Sequence, residues 1–88
     1  WHHSKRLLVD RLLQPAPGQR VLDVGCGSGV ISGFLAERGA EVLGVDGNPT
    51  AVAFARATYG SERCRFEQGY LDELQLEPNS FDKAVCLE

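Results

Sequence analysis

Three glycines and two aspartates are the residues whose types and spacing indicate chemistry in this chain. Residues 21–29 read Val-Leu-Asp-Val-Gly-Cys-Gly-Ser-Gly, so Gly25, Gly27 and Gly29 alternate with other residues after an apolar run. Glycine adopts left-handed backbone conformations and lets a ligand approach the main chain closely. A loop of this kind between a strand and a helix predicts a ligand site at the carboxyl end of a parallel sheet.

The second aspartate strengthens that prediction. Asp46 ends the next apolar run and lies 21 residues after Gly25. A carboxylate can accept two hydrogen bonds side by side, which suits the neighbouring hydroxyls of a ribose. A glycine loop followed about 20 residues later by an acid is a general nucleoside-binding pattern. The two features together predict a ligand that resembles adenosine.

The spacing of the glycines separates two kinds of nucleoside ligand. A dinucleotide fingerprint, GxGxxG, needs a glycine three positions after the second one, where this chain has Val30. The chain instead has GxGxG, with Asp23 two residues before Gly25. A pyrophosphate favours the unopposed amides of a helix N-terminus, whereas the charge of Asp23 suits a ligand with an ammonium or sulfonium group. An NAD(P)-binding domain stays open as the weaker alternative.

Hydrophobic periodicity predicts the elements that position this loop. Strands are predicted over 20–24, 41–45, 64–68 and 81–87, and helices over 4–14, 30–38 and 49–59. Asn48 followed by Pro49 is typical of a helix start, and Gly39 stands where a helix would end. Strands that alternate with helices form right-handed βαβ units and therefore a parallel sheet.

The expected fold is accordingly α/β: a Rossmann-like, doubly wound, mostly parallel sheet with flanking helices. A leading helix is predicted within residues 1–17 and the Rossmann-like core over 18–88, truncated after the fourth strand. That strand would leave an apolar edge, which native proteins normally cover. We therefore expect the chain to be the N-terminal part of a longer enzyme.

Composition disfavours several functional classes for this segment, while an RNA substrate stays open. The chain has 88 residues and a net charge of −3, with scattered Lys and Arg and no basic stripe typical of a nucleic-acid surface. Its longest uncharged stretch, 24–36, is shorter than the roughly 20 apolar residues of a membrane span. The cysteines at 26, 64 and 86 are widely spaced, so we expect buried, reduced thiols and no metal site. These features predict a cytoplasmic protein without a membrane partner.

Three motifs carry a resemblance to a known family. Residues 21–29 resemble the first motif of class I S-adenosylmethionine-dependent methyltransferases, and 44–49 resemble their second strand with its ribose-binding acid. Residues 66–69 and 79–82 resemble the third and fourth strand region. The resemblance covers about residues 20–88 and implies a methyltransferase with S-adenosyl-L-methionine as its cofactor. A cofactor-binding module without catalysis of its own is the alternative.

The resemblance also implies a role for each matched residue. Asp23 would hold the amino group of the cofactor, and Asp46 its ribose hydroxyls. The residues beside the methionine part are Gly25, Cys26 and Gly27, and those beside the adenine ring are Gly47 and Asn48. Gly29 serves either strand–helix packing or ligand contact. Asp82 is interpreted as fixing the entry to the fourth strand.

One position departs from the family pattern. Related enzymes often have an aspartate directly after the glycine that corresponds to Gly69, where it accepts a hydrogen bond from the adenine amino group. This chain has Tyr70 there, which can stack or donate but is a poorer acceptor. We expect the Leu71 amide to contact an adenine ring nitrogen. Asp72 would substitute as the acceptor if the loop bends, and the partner of the adenine amino group stays open. No residue is identified as catalytic, and the methyl acceptor is unidentified, with a small molecule favoured.

Overall fold

The computed structural model describes residues 17–70, 72, 74 and 80–86. The strands are β1 (Arg20–Val24), β2 (Glu41–Asp46), β3 (Cys64–Gln68) and β4 (Lys83–Val85). The helices are α1 (Val30–Glu37) and α2 (Pro49–Tyr59). The leading helix predicted over 4–14 lies outside the described residues.

All strand pairs of the sheet are parallel, and the strands are arranged in the order β3-β2-β1-β4. The chain therefore runs outward from β1 through β2 to β3 and then returns to the other side of β1 for β4. In such sheets a crevice opens beyond the carboxyl ends of the strands where the order reverses. The predicted α/β, Rossmann-like fold with a parallel sheet is confirmed, and β1 lies at the reversal.

The strand predictions hold closely for three strands and fail for the fourth. The bounds of β1 and β3 are those predicted, and β2 extends one residue further to include Asp46. The fourth strand was predicted from Phe81 but begins only at Lys83. The reason is that the Asp82 carboxylate takes the place of a ladder carbonyl: Arg20 N donates to Asp82 Oδ2 at 2.8 Å.

Both helix boundaries marked by sequence signals are confirmed. Asn48 caps α2, since its Oδ1 accepts from the amides of Thr50 at 2.9 Å and Ala51 at 3.3 Å. Gly39 follows α1 with φ +94°. Its amide donates to the Ala36 carbonyl at 2.9 Å, and the next amide donates to Leu35 at 3.2 Å. This is a Schellman motif, in which a left-handed glycine satisfies the last helical carbonyls.

The apolar core lies between the sheet and the two helices, which contact each other as well as β2 and β3. It consists of aliphatic, aromatic and cysteine side chains, among them Val21, Ile31, Leu35, Val42, Val52 and Phe66. None of the helices in the described part of the chain has the length and apolar character needed to cross a membrane.

The cysteines differ from one another. Cys26 and Cys64 are buried in the core as expected, but Cys86 is exposed, which contradicts the prediction that it packs inside. Cys86 follows the last residue of β4, the outermost strand on that side of the described sheet. Burial, together with the nearby charge of Asp23, raises the pKa of the Cys64 thiol to about 11. Cys64 therefore stays protonated and serves packing.

Candidate functional site

The glycine loop folds back onto the end of β2. Gly25 and Gly27 have φ values of +70° and +55°, in the left-handed region that glycine adopts readily. The amides of Gly25 and Cys26 both donate to the Val45 carbonyl, at 2.8 and 2.9 Å. Since Val45 immediately precedes Asp46, these two bonds hold the loop after β1 beside the acid after β2.

Two glycines of this loop are required for different reasons. A Cβ atom on Gly25 would meet nothing within 4 Å, so this part of the main chain faces open space. A Cβ atom on Gly29 would lie 2.8 Å from Ala55 Cβ and 2.9 Å from Phe66 Cζ, both in the core. Gly29 therefore serves close packing of α1 against α2 and β3, whereas Gly25 leaves its side of the loop accessible.

Asp46 joins the two loops at the carboxyl end of the sheet. Its Oδ2 accepts from the Gly27 amide at 2.9 Å, and its Oδ1 accepts from the Asn48 amide at 2.9 Å. A carboxylate has about four acceptor positions, and these amides take one on each oxygen. The side chain is half-buried, so its orientation is set while each oxygen can accept one further hydroxyl.

Asp23 has a different environment. It is only 3% exposed and lies in the middle of the sheet, where it pairs with Gly44 on one side and Val85 on the other. Its Oδ2 accepts from the Ser32 hydroxyl at 2.7 Å. The carboxylate therefore lies beneath α1, below the glycine loop.

Ser32 is a residue of the site region that the sequence analysis missed. It is fully buried, on a helix whose other buried residues are apolar apart from a glycine. Buried hydroxyls in a helix need a partner, so a serine in an apolar stripe close behind a glycine loop was the available signal. Its partner followed only from the packing of α1 over β1.

Tyr70 lies beside the acid loop. The Gly69 amide donates to the Asp46 carbonyl at 2.9 Å, which fastens the end of β3 to the end of β2. A Cβ atom on Gly47 would lie 2.4 Å from Tyr70 Cζ, so the phenol ring rests directly on Gly47. The ring is nevertheless 65% exposed. Leu71 lies outside the described residues, and its predicted contact stays a prediction.

The structure brings most of the predicted site residues together at one edge of the sheet. Seven meet at the carboxyl ends of β1, β2 and β3: Gly25, Cys26, Gly27, Asp46, Gly47, Asn48 and Tyr70. Cys26 contributes main chain only, because its side chain is buried. Asn48 uses its side-chain oxygen to cap α2. No group of three or more metal-binding side chains occurs among residues 17–70, 72, 74 and 80–86.

Comparison with known proteins shows the family. The family model of the methyltransferase domain matches residues 21–88. A ubiquinone biosynthesis O-methyltransferase of Hahella chejuensis is 40% identical over 92 aligned positions, which cover 99% of this chain and 39% of that protein. A 23S rRNA (uracil(1939)-C(5))-methyltransferase of Azoarcus sp. is 52% identical over 56 positions, covering 60% of this chain and 13% of that protein.

A solved structure that is similar to this chain is also that of a methyltransferase. A methyltransferase from Geobacter sulfurreducens, described as S-adenosylmethionine-dependent and crystallised with S-adenosyl-L-homocysteine, has a TM-score of 0.82 at 25% identity. The match covers 98% of this chain and 36% of that one. The chain belongs to the methyltransferase-domain family, and the resemblance to class I S-adenosylmethionine-dependent methyltransferases is confirmed. It spans about two fifths of the length of the ubiquinone biosynthesis relative.

Proposed function

We propose that the protein is a methyltransferase that binds S-adenosyl-L-methionine at the carboxyl end of the sheet, between the loop after β1 and the turn after β2. The observation that carries this proposal is the geometry of Asp46. Its carboxylate is held by one amide from each loop, 2.9 Å from Gly27 N and 2.9 Å from Asn48 N. Such a fixed, half-buried carboxylate is suited to two neighbouring sugar hydroxyls.

The residues around Asp46 fit the rest of this cofactor. The open space beside Gly25 admits a ligand up to the main chain. Asp23 is buried below the loop and bonded to Ser32, and we assign its negative charge to the amino group of the cofactor, directly or through water. The adenine ring is assigned to the region of Gly47, Asn48 and Tyr70. Leu71 keeps its assigned role as an amide donor.

The bound cofactor supplies an electrophilic methyl group on a sulfonium. The protein's part is then to hold an acceptor atom about 3–3.5 Å from that methyl group and in line with the breaking bond. The sulfur end of the cofactor belongs near the loop at Gly25–Gly27, so the acceptor would approach from the open side of this loop. An acceptor that arrives protonated, such as a phenol, would also need a general base to take up its proton, and no residue of the described chain is assigned that role.

The acceptor is proposed to be a small molecule. Support comes from relatives named for ubiquinone biosynthesis, which match almost the whole chain, and from a net charge of −3, which disfavours RNA. The rRNA methyltransferase relative names the competing acceptor class but matches a smaller part of the chain. Action in the cytoplasm, predicted from composition, belongs to the same proposal.

Calorimetry with two ligands tests cofactor binding. The purified protein is titrated with S-adenosyl-L-homocysteine and, separately, with NADH. Binding of the first alone supports the proposal, and binding of NADH alone would replace it with the dinucleotide alternative. Transfer of labelled methyl groups to panels of small phenols, catechols and rRNA then tests the acceptor. Cofactor binding without transfer to any acceptor would favour a binding module.

A further inference from the structure

The Ser32 hydroxyl is a polar group in the buried face of α1. The residue is fully buried, and its hydroxyl donates to Asp23 Oδ2 at 2.7 Å. Alanine is a better helix former than serine and would bury no polar group. The hydroxyl therefore adds nothing that α1 needs for its own packing, and its contribution lies in the contact with Asp23.

A glycine on the neighbouring strand gives this hydroxyl its place. Gly44 of β2 pairs with Asp23 of β1 in the parallel register. A Cβ atom on Gly44 would lie 2.9 Å from Ser32 Oγ, closer than such atoms normally approach. The hydroxyl thus lies over β2 at a position without a side chain, directly beside the strand residue to which it donates.

The hydrogen bond connects the two ends of the glycine loop. Asp23 lies two residues before Gly25, and Ser32 is the third residue of α1, whose N-cap is Gly29. The first turn of α1 contains no acidic residue, and its N-cap makes no side-chain hydrogen bond. Asp23 supplies, from β1, a negative charge of the kind that a helix N-terminus favours. Strand, loop and helix are therefore joined through this one carboxylate.

From this arrangement we infer that Ser32 is a positioning residue, which fixes the Asp23 carboxylate below the glycine loop and so sets the preference of the site for a ligand with a positively charged amino group. The inference rests on the proposed function and adds a residue to the role assigned there to Asp23. A carboxylate held in one orientation presents its charge at one place, and a hydrogen bond donated to it favours its charged form.

Two ligands measure this preference by calorimetry. They are S-adenosyl-L-homocysteine and its deamino analogue, in which hydrogen replaces the α-amino group while the carboxylate, sulfur and nucleoside are unchanged. The wild type is expected to bind the amino form at least tenfold more tightly, the scale of a hydrogen bond to a charged group. Ser32→Ala is expected to reduce this preference to about threefold or less, by weakening the amino form and changing the affinity for the deamino form less than twofold.

Three further variants separate positioning from packing. Ser32→Cys keeps the side-chain volume with only a weak donor, and it is expected to lose the preference as Ser32→Ala does. Asp23→Asn removes the charge, so adding Ser32→Ala to it is expected to change the ratio of affinities no further, because the two residues act as one unit. Ile31→Val is the control: it loosens the neighbouring buried position of α1 and leaves the wild-type preference unchanged.

Several results would overturn the inference. Equal weakening of both ligands by Ser32→Ala, or an unchanged ratio of affinities, would show that the serine serves only packing. A full preference in Ser32→Cys together with its loss in Ser32→Ala would show the same, because volume rather than the hydroxyl would then matter. Equal affinity of the wild type for both ligands would remove this inference and leave cofactor binding intact. Failure of the wild type to bind S-adenosyl-L-homocysteine would remove the proposed function itself.

Discussion

Asp46 and Asp82 are carboxylates at opposite ends of the same sheet, and each accepts a hydrogen bond from a main-chain amide. Asp82 precedes β4 at the amino end, and its Oδ2 lies 2.8 Å from Arg20 N. The Asp82 amide in turn donates to the Arg20 carbonyl at 2.7 Å. Asp82 therefore joins β4 to β1, whereas Asp46 joins two loops that border open space. The same chemical group is structural at one end and available to a ligand at the other.

A cavity by itself does not mark the candidate site. A cavity of about 430 Å³ lies at the amino end, lined by the first residues of β1 and β2, residues before and in β3, and the segment before β4. Its charged lining residues are of both signs: Arg20, Glu41, Glu62, Arg63 and Arg65. None of its lining residues is a glycine, and no carboxylate there bridges two loops. The backbone geometry at the carboxyl end, rather than this cavity, marks the candidate site.

The largest loss of stability is expected from Gly29→Ala. Comparing it with Gly25→Ala distinguishes a glycine needed for packing from one that borders open space. The added methyl group meets Ala55 and Phe66 at 2.8–2.9 Å, at a residue with φ +90°. Strain and overpacking together cost about 3–5 kcal/mol of unfolding free energy. Gly25→Ala is the matched control, because it adds left-handed strain of about 1–2 kcal/mol without a clash. Urea denaturation measures both, and equal losses would contradict the packing role of Gly29.

Asp46→Ala and Asp82→Ala test the comparison directly. Loss of the Asp46 carboxylate is expected to weaken S-adenosyl-L-homocysteine by roughly 1.5–3 kcal/mol, about 10- to 100-fold, because a charged hydrogen-bond acceptor is lost. Asp82→Ala is expected to leave the affinity unchanged, since Asp82 lies at the amino end. Calorimetric titration of both variants measures this difference. Equal weakening by the two substitutions would contradict the assignment of the ligand site to the carboxyl end of the sheet.

A smaller effect is expected on the pH dependence of stability, through the buried Cys64 thiol in β3. Folding raises the pKa of the Cys64 thiol from 9.0 to about 11, so the protonated thiol is favoured in the folded state. Its contribution to stability is complete below about pH 9 and is lost as the pH rises toward about 11, by roughly 2–3 kcal/mol in all. Cys64→Ala is expected to show a shallower decline in unfolding free energy over this interval. An identical decline would show that other groups cause it.

The smallest effect is the loss of stability in Asp82→Ala. Removing the carboxylate deletes one hydrogen bond to the Arg20 amide, which is worth about 0.5–1.5 kcal/mol. The accompanying ion pair with Arg20 Nε is long, at 3.9 Å, and both side chains are about half exposed, so it adds little. Thermal denaturation measures the change. A loss well above this range would mean that Asp82 organises more than the start of β4.

Local signals predicted much of this fold. The N-cap at Asn48 and the glycine at Gly39 were readable because each acts on amides or carbonyls within a few residues of itself. The start of β4 was predicted wrongly because Phe81 and Asp82 satisfy a strand pattern locally, while a contact with Arg20, 62 residues away, decides the pairing. The burial of Ser32 against Asp23 was missed for the same reason.

The candidate site divides in the same way. The glycine spacing and the acid after the second strand were evident from the residues, and Asp46 lies where the pattern placed it. Nothing local distinguished Asp23, which is 3% exposed, from the half-buried Asp46. The sequence did not distinguish a packing role for Gly29 from a ligand-contact role. A Cβ atom at this position would lie too close to Ala55 and Phe66, which shows the packing role.

The sequence by itself determined the types and order of the elements, because helix caps, left-handed glycines and hydrophobic periodicity act over a few residues. Only the tertiary structure decided which side chains share the carboxyl edge. The parallel register places the Val45 carbonyl against the Gly25 and Cys26 amides, and the Asp46 carbonyl against the Gly69 amide. Those contacts join residues about 20 positions apart, so they exist only once the strands have paired.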